Sequence, residues 1–183
     1  MVVAGNRPQK LGGWNNRTAH RKIYKYIYNE LEHEQPELVY TGMALGIDQW
    51  AADACIKLNI PFVACIPFEY QSSKWSVTCQ NEYNRLIKRA AKVVYVDREL
   101  GYIDLKTAPD IFSSTKIITR NKYMIDQLQE DDVLLAICAI NQHSGTRATV
   151  DYARSSRRDI RLYLISPETI VPGLLYSDDD IPF

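Results

Sequence analysis

No apolar run in the sequence is long enough to cross a bilayer. The longest, Val133 to Ile140, falls well short of the roughly 20 residues that a spanning helix needs. The opening "MVVAGNRP" lacks a basic stretch leading into a hydrophobic one, so no secretory signal peptide is expected and a cytoplasmic location is. Neither sign of charge is in excess: 22 Lys and Arg stand against 22 Asp and Glu. That balance advertises neither a nucleic-acid nor an anionic-membrane partner, although a local basic patch is compatible with it. Cysteine is sparse, and Cys55, Cys65, Cys79 and Cys138 form no CxxC pair, so buried free thiols are expected. His20, His33 and His143 have no i,i+4 partner among themselves and no cysteine set beside them, so no metal site is expected. No Gly-Lys-Ser/Thr marks a P-loop, and no Ser-His-Asp set or paired-carboxylate spacing stands out.

What the sequence does have is alternation. Apolar runs at 1–4, 37–41, 61–68, 92–97, 132–140 and 160–166 read as strands. Amphipathic stretches at 16–35, 45–58, 75–91, 114–129 and 146–157 read as helices between them. The near-continuous hydrophobicity of the strands suits burial on both faces. The expected fold is α/β and Rossmann-like: a mostly parallel sheet with helices on both faces, in one domain spanning 1–183. Two segments break the rhythm, the long connection 97–114 and an irregular C-terminal tail at 166–183.

In such a sheet ligands bind beyond the carboxyl ends of the strands. Four marked turns fall at those ends: "GNRP", "TGMALGID", "PFEYQ" and "NQHSGT". In the first, Gly5 allows close approach, Asn6 bonds in both senses, and Arg7 offers a planar cationic fork. In the second, Gly42, Ala44 and Gly46 lead into a helix whose first turn holds Asp48. The helix N-terminus favours a phosphate, although tight turning alone would also explain the glycines. Ser144, Gly145 and Thr146 repeat the device, with ordinary N-capping as the plainer alternative. Arg120 and Asn121 near a helix start either reach the same rim or make surface contacts. Trp14, Phe68, Tyr70 and Trp75 are available to stack on a base or to pack. Glu69 and Asp48 are the candidate acids or bases, and both are equally suited to accept hydrogen bonds from a ligand. The arginines at 154, 157, 158 and 161 read as a solvated helix end.

These motifs carry a resemblance. "TGMALGID" resembles the "SGxAxGID" segment of DprA/Smf proteins. "GNRPQKLGGW", "IPF..Q...W", "RNKYMID" and "SGT…YA" together resemble the YpsA-like branch of the SLOG superfamily, to which DprA and the LOG nucleotide hydrolases also belong. The resemblance runs from about Gly5 to Ala153. It implies a Rossmann-like fold and a site for a nucleotide or nucleotide-sugar ligand of the ADP-ribose or NAD type, lined by Gly5, Arg7, Gly42, Gly46, Asp48, Gly145 and Thr146. The family together with the C-terminal tail leads to the expectation of a homo-oligomer, and the lack of the LOG glutamate to that of a sensor or sequestering role. Arg120 and Asn121 match the family's "RN" pair. LOG hydrolases carry "PGGxGTxxE", and here Thr149 stands at the glutamate position, which argues against phosphoribohydrolase activity. Two alternatives remain open: a nucleotide N-glycosidase, and a DprA-like binder of single-stranded DNA.

Overall fold

The computed structural model describes residues 1–103, 111–139 and 144–174. Six strands form one all-parallel sheet: β1 (Val2–Gly5), β2 (Val39–Thr41), β3 (Phe62–Ile66), β4 (Lys92–Tyr95), β5 (Val133–Ile137) and β6 (Arg161–Ile165). Their spatial order is β4-β3-β2-β1-β5-β6. The chain therefore winds outward from β1 to one edge, returns, and winds outward again from β5. The expected Rossmann-like α/β architecture is the observed one.

Between the strands lie α1 (Arg17–Glu34), α2 (Ile47–Leu58), α3 (Val77–Ile87), the short α4 (Val96–Glu99), α5 (Ser114–Asp126) and α6 (Gly145–Ser156). A one-turn α7 (Pro167–Ile170) follows β6, and a 3-10 turn (Pro8–Leu11) follows β1. Helix α1 forms where Ala19, Ile23, Ile27 and Leu31 recur at intervals of four and bury one stripe. Asn16 caps it by accepting from the Ala19 N–H at 3.1 Å, and Gln35 ends it in the left-handed region before Pro36.

The helices cover both faces. Ile23, Ile27, Leu31, Ala51 and Cys55 pack against Val3, Phe62, Leu135 and Ile137 on one side. Met124, Ile125, Val150 and Ala153 pack against Val2, Val63, Cys65 and Leu134 on the other. Successive strand residues thus feed opposite cores, which is why the strands read as unbroken apolar runs. Each buried Ile, Leu or Met contributes roughly 1.5–3 kcal/mol.

Two short helices were not legible as periods. The segment 97–114, read as one irregular connection, begins with α4, and its residues 104–110 lie outside the described set. At its base Lys116 and Asp97, both fully buried, form an ion pair at 2.9 Å. The tail begins with α7 and buries Leu174, and 175–183 lie outside the described set. Cys55, Cys65 and Cys138 are buried and Cys79 is half-buried, all as free thiols. Among the described residues no acidic, His or Cys cluster could hold a metal ion, and no helix is long and apolar enough to cross a membrane.

Candidate functional site

The switch in winding falls between β1 and β5, the place where an open parallel sheet leaves a crevice. Four segments converge on it, and their local geometry decides what each does.

After β2 the chain turns sharply. Met43 is left-handed (φ 59) with its carbonyl held by Gln49 Nε2 at 3.2 Å, and Gly46 has φ 94. A side chain at Gly46 would also sit 2.9 Å from the Asn6 carbonyl oxygen. Asp48 then enters the first turn of α2, buried, and accepts from the N–H groups of Gly5 and Ala44, both at 3.3 Å. Burial raises its carboxyl above the ordinary aspartate value. Arg120, the two backbone donors and Arg7 pull the other way. The N-terminus of α2 thus carries its own anion.

Arg120 arrives from α5, on the opposite face of the sheet, and is 4% exposed. Its Nη1 donates to the carbonyls of Gly42 and Cys65 and lies 4.0 Å from Asp48 Oδ2. Its Nε is buried without a partner. Burial pulls the guanidinium below its usual value, with Asp48 opposing, but arginine stays protonated throughout the physiological range. Gly42 lies so close to this guanidinium that any side chain there would overlap it.

A cavity of about 310 Å³ opens between the end of β1 and the start of α6. Gly5, Asn6 and Arg7 line one wall, with Ala44 and Asp48 from the second turn. Arg120 and Asn121 come from α5, and Ser144, Gly145 and Thr146 from α6. Ser144 Oγ caps α6 by accepting from the Arg147 N–H at 3.1 Å, so the capping reading holds and the residue lines the cavity as well. The N–H groups of Gly145 and Thr146 lead the helix, where no intrahelical acceptor exists. Asn121 Nδ2 donates to the Gly145 carbonyl at 3.4 Å, and Thr149 Oγ1 donates to the same oxygen at 2.9 Å. Asn6 is buried and its Nδ2 has no partner.

Two glycines expected at the ligand do not line the cavity. Gly42 makes room for Arg120, and Gly46 supplies the positive φ and packs against the β1 turn, so both serve the scaffold. Gly145 is the reverse case: among the described residues a Cβ there would meet only Asn121 Nδ2, at 3.9 Å. Glu69 lies outside the cavity and pairs with Arg98 at the surface. Trp14 is 45% exposed and also outside.

Gln9 and Lys10, which pattern reading missed, join the lining from the 3-10 turn. Their signal was the spacing of Arg7 and Lys10, three apart on one side of such a turn. The described lining thus brings Arg7, Lys10 and Arg120 together with Asp48, in a chain with no net charge. Phe68, Tyr70 and Trp75 line a second chamber of about 410 Å³, which shares Arg7, Ala44, Ile117 and Arg120 with the first. His143 and Asn141 to Gln142 of "NQHSGT" lie outside the described residues. In the basic cluster, Arg157 pairs with Asp159 at 2.8 Å and Arg161 with Glu34 at 2.7 Å.

The fold has solved counterparts. DNA processing protein A (DprA) from Streptococcus pneumoniae superposes with a TM-score of 0.54 at 13% identity, over 96% of this chain and 62% of its own. The protein TM1055 superposes with a TM-score of 0.51 at 14% identity, over 91% of this chain and 93% of its own. Among curated sequences, the uncharacterized SPbeta prophage-derived protein YoqJ of Bacillus subtilis (strain 168) is 29% identical over 155 residues, 80% of this chain and 86% of that one. A UPF0398 protein of Lactobacillus delbrueckii subsp. bulgaricus is 28% identical over 97 residues, 48% of this chain and 52% of that one. The YpsA model, described as the YspA SLOG family, matches residues 1–128. That stretch carries Arg7, Asp48 and Arg120 on the scaffold just described, and the chain belongs to that family.

Proposed function

We propose that the protein binds a nucleotide-derived ligand of the ADP-ribose or NAD type, with its phosphate in the cavity between β1 and α6. The observation that carries this reading is a pair of buried donors without a partner, Asn6 Nδ2 and Arg120 Nε, at a cavity that opens on a helix N-terminus and whose described lining includes Arg7 and Lys10. The unpartnered Nδ2 of Asn6 and Nε of Arg120 are buried donors that an anionic ligand would satisfy. Such donors cost about 1–3 kcal/mol each when left unpaired. The α6 N-terminus supports an anion there, whereas α2 already holds Asp48.

Holding the ligand fits better than cleaving it. Thr149 lines the cavity at the position where LOG proteins have glutamate, and its hydroxyl is engaged with Gly145. Glu69 is paired with Arg98 away from the cavity. One observation favours turnover by an N-glycosidase: Asp48 lines the cavity with a carboxyl raised by burial, as a general acid requires. A third reading, single-strand binding, draws on the likeness to DprA, but the pairing of Arg157 and Arg161 with acidic residues weakens the basic cluster it would use.

Calorimetric titration with ADP-ribose, NAD, AMP and a short DNA single strand, followed by chromatography of the recovered ligand, separates these readings. Saturable binding of a nucleotide recovered intact is the expected result. Release of free base would replace the sensor with a hydrolase. Binding of the strand alone, with affinity falling steeply in salt, would remove the phosphate-cavity reading.

A further inference from the structure

No residue of the motif "IPFEYQSSKW" lines the phosphate cavity, whereas its Phe68, Gln71 and Trp75 line the second chamber. Resting on the nucleotide reading above, we propose that this chamber is the base subsite of the same ligand, and that Gln71 selects a ring bearing an exocyclic amino group, as adenine does.

Three observations converge. The chamber is rich in aromatic residues: Phe68, Tyr70, Trp75 and Phe112 line it. Phe68 and Phe112 meet edge to face at 6.3 Å, and Trp75 is braced edge to face on Tyr83 at 5.4 Å. Tyr70 and Phe112 are more than half exposed, so much aromatic surface stands uncovered beside the cavity. A planar ring that covers it removes that surface from water and gains stacking.

The two chambers share walls. Arg7, Ala44, Ile117 and Arg120 line both, so one ligand can lie with its phosphate near α6 and its ring near Trp75. Each volume falls in the range of a ligand subsite, about 300–1,000 Å³.

The third observation sets the specificity. Gln71 Nε2 donates to the Gly42 carbonyl at 3.4 Å, while its Oε1 is buried without a partner. The amide therefore offers an acceptor and keeps its donor engaged. A small shift of the half-buried side chain, with Nε2 still at the Gly42 carbonyl, opens Oε1 to the chamber, and an amino group on the ring satisfies it. A ring carbonyl, as in hypoxanthine, would face oxygen against oxygen. Flipping the amide to accommodate it would set Oε1 against the Gly42 carbonyl.

The test is calorimetry on the full chain with AMP, IMP, ribose 5-phosphate and inorganic pyrophosphate. Wild type is compared with Gln71→Leu and with Phe112→Ala, an exposed position whose truncation leaves the core intact. Thermal melts check that each variant is folded. AMP is expected to bind at least about ten-fold tighter than ribose 5-phosphate, from stacking. It should bind about five- to ten-fold tighter than IMP, from the amino group. Gln71→Leu should collapse the AMP-to-IMP ratio toward one and leave ribose 5-phosphate unchanged. Phe112→Ala should weaken AMP several-fold and spare ribose 5-phosphate. Equal affinities for AMP and ribose 5-phosphate would overturn the base subsite while leaving the phosphate cavity standing. Equal affinities for AMP and IMP would overturn the role of Gln71. If none of the four ligands binds, the phosphate reading fails first and the base subsite falls with it.

Discussion

Gly42 is where the scaffold and the site meet, and an alanine there gives a sharp test. The glycine has no positive φ, so alanine suits its backbone and the perturbation is purely the added methyl. That methyl would overlap Nη1 and Cζ of Arg120. The guanidinium has nowhere equivalent to go: it is buried, donates to the Gly42 and Cys65 carbonyls, and faces Asp48. Hydrogen bonds from a charged group are each worth about 1.5–3 kcal/mol, and breaking a buried ion pair costs about 3–5. Partial relocation of Arg120 keeps some of this. The lower entropy of the unfolded alanine chain returns about 0.4–1 kcal/mol. The net expectation is a loss of about 2–3 kcal/mol. With a urea slope of about 2 kcal/mol per molar, the midpoint should fall by roughly 1–1.5 M. The same substitution in an Arg120→Ala background should cost almost nothing, because the clash has gone; a double-mutant cycle isolates that coupling. A Gly42→Ala stability within about 0.5 kcal/mol of wild type would refute the reasoning. Arg120 would then be free to move, and its place as the wall between two chambers would not be fixed.

Gly145→Ala should separate binding from stability in the opposite sense. Its melting curve should match wild type, since no neighbour among the described residues is nearer than 3.9 Å, while nucleotide binding weakens because the methyl stands in the cavity. Unchanged binding would move the phosphate away from α6. For Asp48, burial puts the folded-state carboxyl above its unfolded value. The folded protein therefore holds the proton more tightly, and the contribution is most favourable at low pH and is lost as pH rises through the folded value. Wild type should accordingly lose stability relative to Asp48→Asn as pH climbs from about 4 in a series of urea titrations. A slope of opposite sign would mean that Arg120 and Arg7 overcome the burial. Burial pushes the thiols of Cys55 and Cys65 up to about 12, so at pH 8 both should resist a thiol reagent until the protein is unfolded, while half-buried Cys79 reacts first. Arg157→Ala and Arg161→Ala should leave nucleotide affinity unchanged, and a large loss in either would bring the basic cluster back as a binding surface.

The elements that repeat were legible in the sequence, because burial on two faces writes itself into apolar strands and striped helices. Helix α1, with its four-residue stripe and its Asn16 cap, is the clearest example. The segments that make the rim were legible too, since glycine and small polar residues mark strand ends. What the pattern could not carry was contact across the sheet. Gly42 looked like a phosphate glycine, yet its small size accommodates a guanidinium 78 residues away in sequence. Asp48 read as an acid, a base or an acceptor for a ligand, and it accepts from backbone donors of two turns with Arg120 close by. Helices α4 and α7 are a single turn each, too short to show a period. The buried Lys116 and Asp97 pair is spread across the connection that pattern reading left irregular.

The strand order has a consequence for how the molecule assembles. On one side of β1, pairing proceeds in sequence order through β2, β3 and β4, so that half of the sheet is built from successive, relatively local closures. The other edge of β1 waits for Val133–Ile137, and until β5 docks, Val2–Gly5 presents unpaired backbone beside a hydrophobic strand. Such an edge is a template for pairing with another chain. Docking of β5 closes that edge and also brings α6 to the rim. The contact that completes the cavity is therefore also the contact that covers this edge of β1.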